Sequence, residues 1–154
     1  MRIISGTSKS LRIKVPRGLQ IRPTTDKVKE SLFNILSNKF NFDELKVLDL
    51  FAGTGNISYE FSSRGSNRVI SVDNNFKCIK FIQEMSRINN FSVITKKADY
   101  IDFLLNTDEN FDIIFADPPY IFSEDQYIKL LNLVKQSDVL LNNGEIIIEH
   151  SSKI

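Results

Sequence analysis

Five short apolar runs separated by helix-length stretches constrain this chain more than any other feature. Residues 46–51, 68–72, 92–96, 111–116 and 145–149 each read as a strand. Between them, residues 57–64, 76–89, 100–105 and 126–136 read as helices. Ile113-Ile114-Phe115 and Ile146-Ile147-Ile148 are apolar without a break, as strands covered on both faces are in a parallel sheet. The repeating strand–helix order predicts an α/β domain, Rossmann-like, with a mostly parallel sheet and helices on both faces. Such sheets bind ligands at the carboxyl ends of their strands, so the loops that follow the strands are where chemistry is expected.

The first of these loops is rich in glycine. Val47-Leu48-Asp49-Leu50-Phe51 runs into Ala52-Gly53-Thr54-Gly55 and then a helix. Glycines let the backbone approach a ligand closely, and the amides that open a helix favour an anionic group. A dinucleotide fingerprint would place a third glycine at position 58, where this chain has Ser58. Asp49 just before the turn suits S-adenosylmethionine better, because a carboxylate there attracts the ligand's ammonium, directly or through water. Asp73 ends the second strand and Asp99 follows the third. The first can accept from both ribose hydroxyls and the second from an adenine amino group. Each aspartate alone could equally be a turn or helix cap, but three of them after three different strands point to a ligand.

The fourth strand ends in Asp117-Pro118-Pro119-Tyr120. Two prolines fix φ and donate no hydrogen bond, which makes a rigid turn with outward carbonyls. An exocyclic amine on a nucleic-acid base has two N–H donors. Asp117 can accept one and the Pro118 carbonyl the other, while Tyr120 stacks on the base. A nitrogen held this way directs its lone pair at a methyl donor. These four residues are therefore the candidate catalytic set.

Charge is distributed unevenly. The net charge is +1, yet the first 30 residues carry eight basic and two acidic side chains, a net of +6 that leaves −5 for the remainder. A basic arm on an acidic body suggests a polyanionic partner. Within the arm, Leu11, Ile13 and Val15 alternate with Arg12 and Lys14, and Gly6-Thr7-Ser8 can turn a hairpin. A helix then opens at Thr24 or Thr25, either of which can cap it. Val28, Leu32, Ile35 and Leu36 form its apolar stripe, with Phe33 beside them. Single cysteine and histidine residues, Cys78 and His150, argue against a disulfide, a zinc site or a histidine triad. Cys78 reads as core, His150 as a surface or hydrogen-bonded residue, and Phe76, Ile79, Ile82 and Met85 as helix packing. No run approaches the ~18 apolar residues of a membrane span. The 154 residues suit one domain, an arm over 1–23 and a catalytic core over 24–154, in a cytoplasmic protein without metal.

Three motifs together resemble a known family. They are the stretch from Arg22-Pro23-Thr24-Thr25-Asp26 through Lys29-Glu30-Ser31-Leu32-Phe33-Asn34, Asp49 through Gly55, and Asp117 through Tyr120. The chain resembles the RsmD family, bacterial methyltransferases acting on a guanine N2 of 16S rRNA, over nearly its whole length. The resemblance implies S-adenosylmethionine as cofactor and 16S rRNA or an assembling 30S subunit as partner. It implies that Phe51, Gly53 and Gly55 line the cofactor, that Asp73 holds its ribose and Asp99 its adenine, and that the Thr24–Phe33 region closes over its methionine end. Asp117 to Tyr120 would hold the guanine, and Arg12, Lys14, Arg17 and Arg22 would contact phosphates. It also implies a further hairpin after the fifth strand. Here the sequence stops at Ile154, so that strand is expected to be an apolar sheet edge. Two other readings share some of these motifs: a DNA adenine-N6 methyltransferase, which also carries Asp-Pro-Pro-Tyr, and a non-catalytic cofactor- or RNA-binding module.

Overall fold

A computed structural model describes residues 1–19 and 24–150. Five strands form one parallel sheet: β1 (Lys46–Leu50), β2 (Arg68–Asp73), β3 (Val93–Lys97), β4 (Phe111–Ala116) and β5 (Leu140–Ile148). Their order is β3-β2-β1-β4-β5. The order reverses between β1 and its two neighbours, which opens a crevice at the carboxyl ends of β1 and β4. The helices are α1 (Asp26–Ser37), α2 (Asn56–Ser63), α3 (Phe76–Asn89), α4 (Tyr100–Asn106) and α5 (Glu124–Gln136).

Strand alternation assigns the two faces of the sheet. Leu48, Ile70 and Ile114 pack with Leu104 of α4 and with Leu130 and Val134 of α5. Val47, Val69 and Ile113 pack on the opposite face with Phe33 and Leu36 of α1 and Phe61 of α2. Side chains of β1, β2 and β4 are thus buried on both faces, which explains the unbroken apolar run Ile113-Ile114-Phe115-Ala116 of β4. No helix of the described residues is long and apolar enough to cross a membrane.

The N-terminal arm folds back on itself. Arg2 and Arg12 form one antiparallel bridge, and the Ile3 amide donates to the Leu11 carbonyl at 2.9 Å. Ile3 and Ile13 are buried against Tyr59, Phe81 and Ile82, whereas Arg12 and Lys14 are exposed. Gly6 sits where α2 ends. Its φ is +93°, and a Cβ on it would lie 1.9 Å from the Ser63 carbonyl oxygen.

The structure corrects three expectations. The buried face of α1 is Lys29, Phe33 and Leu36, while Val28 and Ile35 are about half exposed. The helix is rotated relative to the expected stripe because Lys29 finds partners inside the protein. Phe76 opens α3 at 61% exposure, so it is not a packing residue. β5 begins five residues earlier than the expected 145, at Leu140. The added residues include Asn142-Asn143-Gly144, which lie in a register shift within the strand, with Asn143 at φ 67°.

Candidate active site

A cleft of about 580 Å³ lies at the carboxyl ends of the strands, within the size range of small-molecule sites. Its floor and walls come from the loops after β1, β2, β3 and β4, with Thr24 before α1 and Gln126 and Lys129 of α5 completing it.

The loop after β1 is held in an unusual conformation. Phe51 has φ 59°, a left-handed value costly for a bulky residue and typical of functional loops. Its ring packs against Tyr100 and Phe122, at centroid distances of 5.1 and 5.5 Å. Gly55 caps α2 at φ 89°. A Cβ there would lie 2.6 Å from the Tyr59 ring, so this glycine is required by packing beneath the loop.

Asp49 is 1% exposed at the cleft floor. The Ser58 hydroxyl donates to its carboxylate at 2.6 Å, and the Ser71 hydroxyl lies 2.5 Å from that of Ser58. Burial pushes the Asp49 carboxyl up to about 7; the Ser58 hydrogen bond opposes the rise, and the negative charges of Asp117 and Asp73 add to it. Ser58, which breaks the dinucleotide pattern, therefore orients the acid at the cleft floor. Asp73 accepts from the Gly53 amide and the Asn75 amide, each at 2.8 Å. Asp99 caps α4, accepting from the Ile101 amide at 2.9 Å. Both are turn or cap residues as well as cleft residues, and the two readings of each are compatible.

After β4, Asp117 is partly buried and Pro118 buried, while Pro119 and Tyr120 are exposed. The Pro119 carbonyl accepts from the Phe122 amide at 2.9 Å, closing the turn. Tyr120 is 60% exposed and Ile121 89%, so the turn presents an aromatic face to whatever enters.

Of the expected cofactor residues, Thr24, Asp49, Phe51, Gly53, Asp73 and Asp99 meet in the cleft, as do Asp117, Pro118, Pro119 and Tyr120. Two do not line it. Phe33 is fully buried, its ring 4.7 Å from that of Phe61 with the Arg64 guanidinium 4.7 Å above it. Its place in a motif reflects core packing rather than contact with a ligand. Gly55 likewise lies beneath the loop instead of on the cleft surface. Arg12, Lys14 and Arg17 are exposed on the arm, and Arg22 lies outside the described residues. His150 is exposed with its ring 6.3 Å from Tyr127, and Cys78 is buried. Among the described residues, no three His, Cys, Asp or Glu side chains cluster as metal ligands would. Sequence reasoning missed Asn56, Phe122, Gln126 and Lys129 in the cleft. Only Asn56, next to Gly55, carried a positional signal.

A parallel sheet of this order, a glycine turn after β1, acids at successive strand ends and Asp-Pro-Pro-Tyr after β4 define a class I methyltransferase. The solved structure of YhhF from Escherichia coli superposes with a TM-score of 0.84 at 28% identity, over 97% of this chain and 80% of that one. A family model described as Conserved hypothetical protein 95 matches residues 1–154. YlbH of Bacillus subtilis is 36% identical, across 100% of this chain and 84% of its own length. The protein of Buchnera aphidicola named Ribosomal RNA small subunit methyltransferase D is 32% identical, across 100% of this chain and 78% of its own. The chain belongs to this family, the RsmD methyltransferases.

Proposed function

We propose that this protein transfers a methyl group from S-adenosylmethionine to the exocyclic N2 amine of a guanine in 16S rRNA, within the cytoplasm, as a single domain. The observation that carries the reading is the Asp117–Tyr120 turn lining one cleft together with acids at three other strand ends. The small-subunit rRNA methyltransferase named among its relatives supports RNA as the substrate.

The donor set fits the cofactor. Asp49 suits an ammonium, Asp73 a ribose diol and Asp99 an adenine amine, with Phe51 and Ile101 as apolar walls. When bound, the cofactor supplies an electrophilic methyl on a sulfonium. The chain's own residues do the rest. Asp117 and the Pro118 carbonyl each accept a hydrogen bond from one of the two amine N–H groups and fix the nitrogen's orientation. Tyr120 stacks on the base, which stabilises it in the cleft by about 1–3 kcal/mol. As the amine becomes cationic, Asp117 stabilises that charge and accepts a proton. The target must leave its stack to reach the cleft, so it is a flipped or loop nucleotide. Arg12, Lys14, Arg17 and Arg22 contact phosphates around it.

The test is methyl transfer from labelled cofactor to unmodified 30S subunits, with duplex DNA alongside and the RNA digested to nucleosides. Label is expected in N2-methylguanosine. Asp117→Ala is expected to lower the rate by about 10²–10⁴-fold while leaving S-adenosylhomocysteine binding intact. Label in DNA adenine, or in neither substrate while the cofactor binds, would overturn the reading.

A further inference from the structure

One charged group in the interior has no part in that reaction. Lys29 and Glu60 are both fully buried, with Nζ 3.0 Å from Oε1. The lysine ammonium has three protons and three partners: Glu60, the Arg2 carbonyl at 2.9 Å and Asn56 Oδ1 at 2.8 Å. Glu60 also accepts from the Ile4 amide at 2.8 Å, the Ser5 amide at 3.1 Å and Arg64 Nε at 2.8 Å. The arm is thus fastened to this buried pair at Arg2, Ile4 and Ser5.

Asn56 connects the pair to the cleft. Asn56 lines the cleft, and its Nδ2 donates to the Thr24 carbonyl at 3.3 Å. The Thr24 hydroxyl donates to Glu149 at 3.1 Å, and the Glu149 amide donates to the Ala116 carbonyl, one residue before Asp117. Hydrogen bonds joined through the covalent framework of Thr24 and Glu149 therefore connect the arm, by way of Lys29, to the cleft wall. A buried pair of this kind adds little net stability compared with apolar side chains, which makes a positioning role the better account of its presence.

We propose that Lys29 is a positioning residue that couples the arm to the cofactor side of the cleft, so that RNA on the arm and cofactor in the cleft strengthen each other's binding. This rests on the reading of the cleft as a cofactor site and of the arm as an RNA contact. Because coupling is reciprocal, it is measurable from either end.

Two measurements test it. In the first, hydrogen exchange of the Ile4 and Ser5 amides is followed in the wild-type protein with and without S-adenosylhomocysteine. Neither amide is in the cleft, yet both are expected to slow about fivefold or more, beyond any slowing of the Ser137 amide at the far end of α5. In the second, S-adenosylhomocysteine affinity is measured by calorimetry with and without deproteinised 16S rRNA, for wild type and Lys29→Met. RNA is expected to tighten wild-type binding about fivefold or more and to leave Lys29→Met binding unchanged. A merely misfolded fraction would reduce the number of active sites and leave the ratio intact. No binding to wild type would overturn both the cofactor reading and the coupling. Binding with no added protection of Ile4 and Ser5, or an equal RNA effect in the variant, would overturn the coupling alone.

Discussion

At the scale of single residues, Asp49 shows function set against stability. Its folded carboxyl is held near 7, well above its ordinary value of 3.8, so the fold favours the protonated form. The sign follows from linkage: the Asp49 contribution to stability is greatest below about pH 4 and falls as pH rises toward 7, after which its cost is constant. Asp49→Asn removes that cost. Its melting temperature is expected to exceed the wild-type value at pH 8, with the gap closing toward pH 4. A wild-type ligand with an ammonium needs the ionised acid. S-adenosylhomocysteine affinity should therefore decline from pH 8 to pH 6 in wild type and be weak and flat in Asp49→Asn. Calorimetry across that range decides it, and a pH-independent wild-type affinity would remove Asp49 from the ammonium site.

At the scale of elements, α2 does two tasks. Its first residue, Asn56, faces the cleft, and its last turn anchors the arm through Glu60 and Ser63. Gly6 makes that anchorage possible, because only a residue without Cβ fits at φ +93° against the Ser63 carbonyl. Gly6→Ala is expected to cost at least about 1–2 kcal/mol from the left-handed backbone alone. Limited proteolysis should then cleave within the first 19 residues sooner than in wild type. Equal protection would show that the arm tolerates a Cβ. Apart from the start of β5, every strand and helix of the sheet was legible in sequence within two residues, because buried parallel strands and amphipathic helices write their period into the chain. The Asp-Pro-Pro-Tyr turn and the strand-end acids were legible for the same reason, since they fall at predictable ends. The rotation of α1 was not. It depends on a lysine meeting a glutamate thirty-one residues later, and no local pattern records a pairing across that distance. Phe33 shows the same limit from the other side, since its burial against Phe61 and Arg64 is set by residues far along the chain.

For the molecule as a whole, charge is separated by region. Arg12, Lys14 and Arg17 stand exposed on the arm, while the cleft carries Asp49, Asp73, Asp99 and Asp117. A polyanion is attracted to the first region and repelled from the second; in the proposed reaction this would steer an RNA to present one base rather than its backbone to the cleft. Replacing Arg12 and Lys14 with alanine is expected to weaken rRNA binding and to lower the slope of log affinity against log salt by roughly 0.7–0.9 for each phosphate no longer neutralised. Cofactor affinity without RNA should be unaltered. Titrations at several salt concentrations give the slope, and an unchanged slope would move the phosphate contacts elsewhere.

The Lys29–Glu60 pair also has a consequence for the order of events during synthesis. Ile4, Ser5 and Lys29 are made well before Glu60, the acceptor that all three share. At about 5–20 residues per second, the arm waits on the order of seconds for its anchor. During that interval the Ile4 and Ser5 amides and the Lys29 ammonium lack the carboxylate that pairs with them in the folded protein. Docking of the arm is therefore a late event, possible only once α2 has been translated.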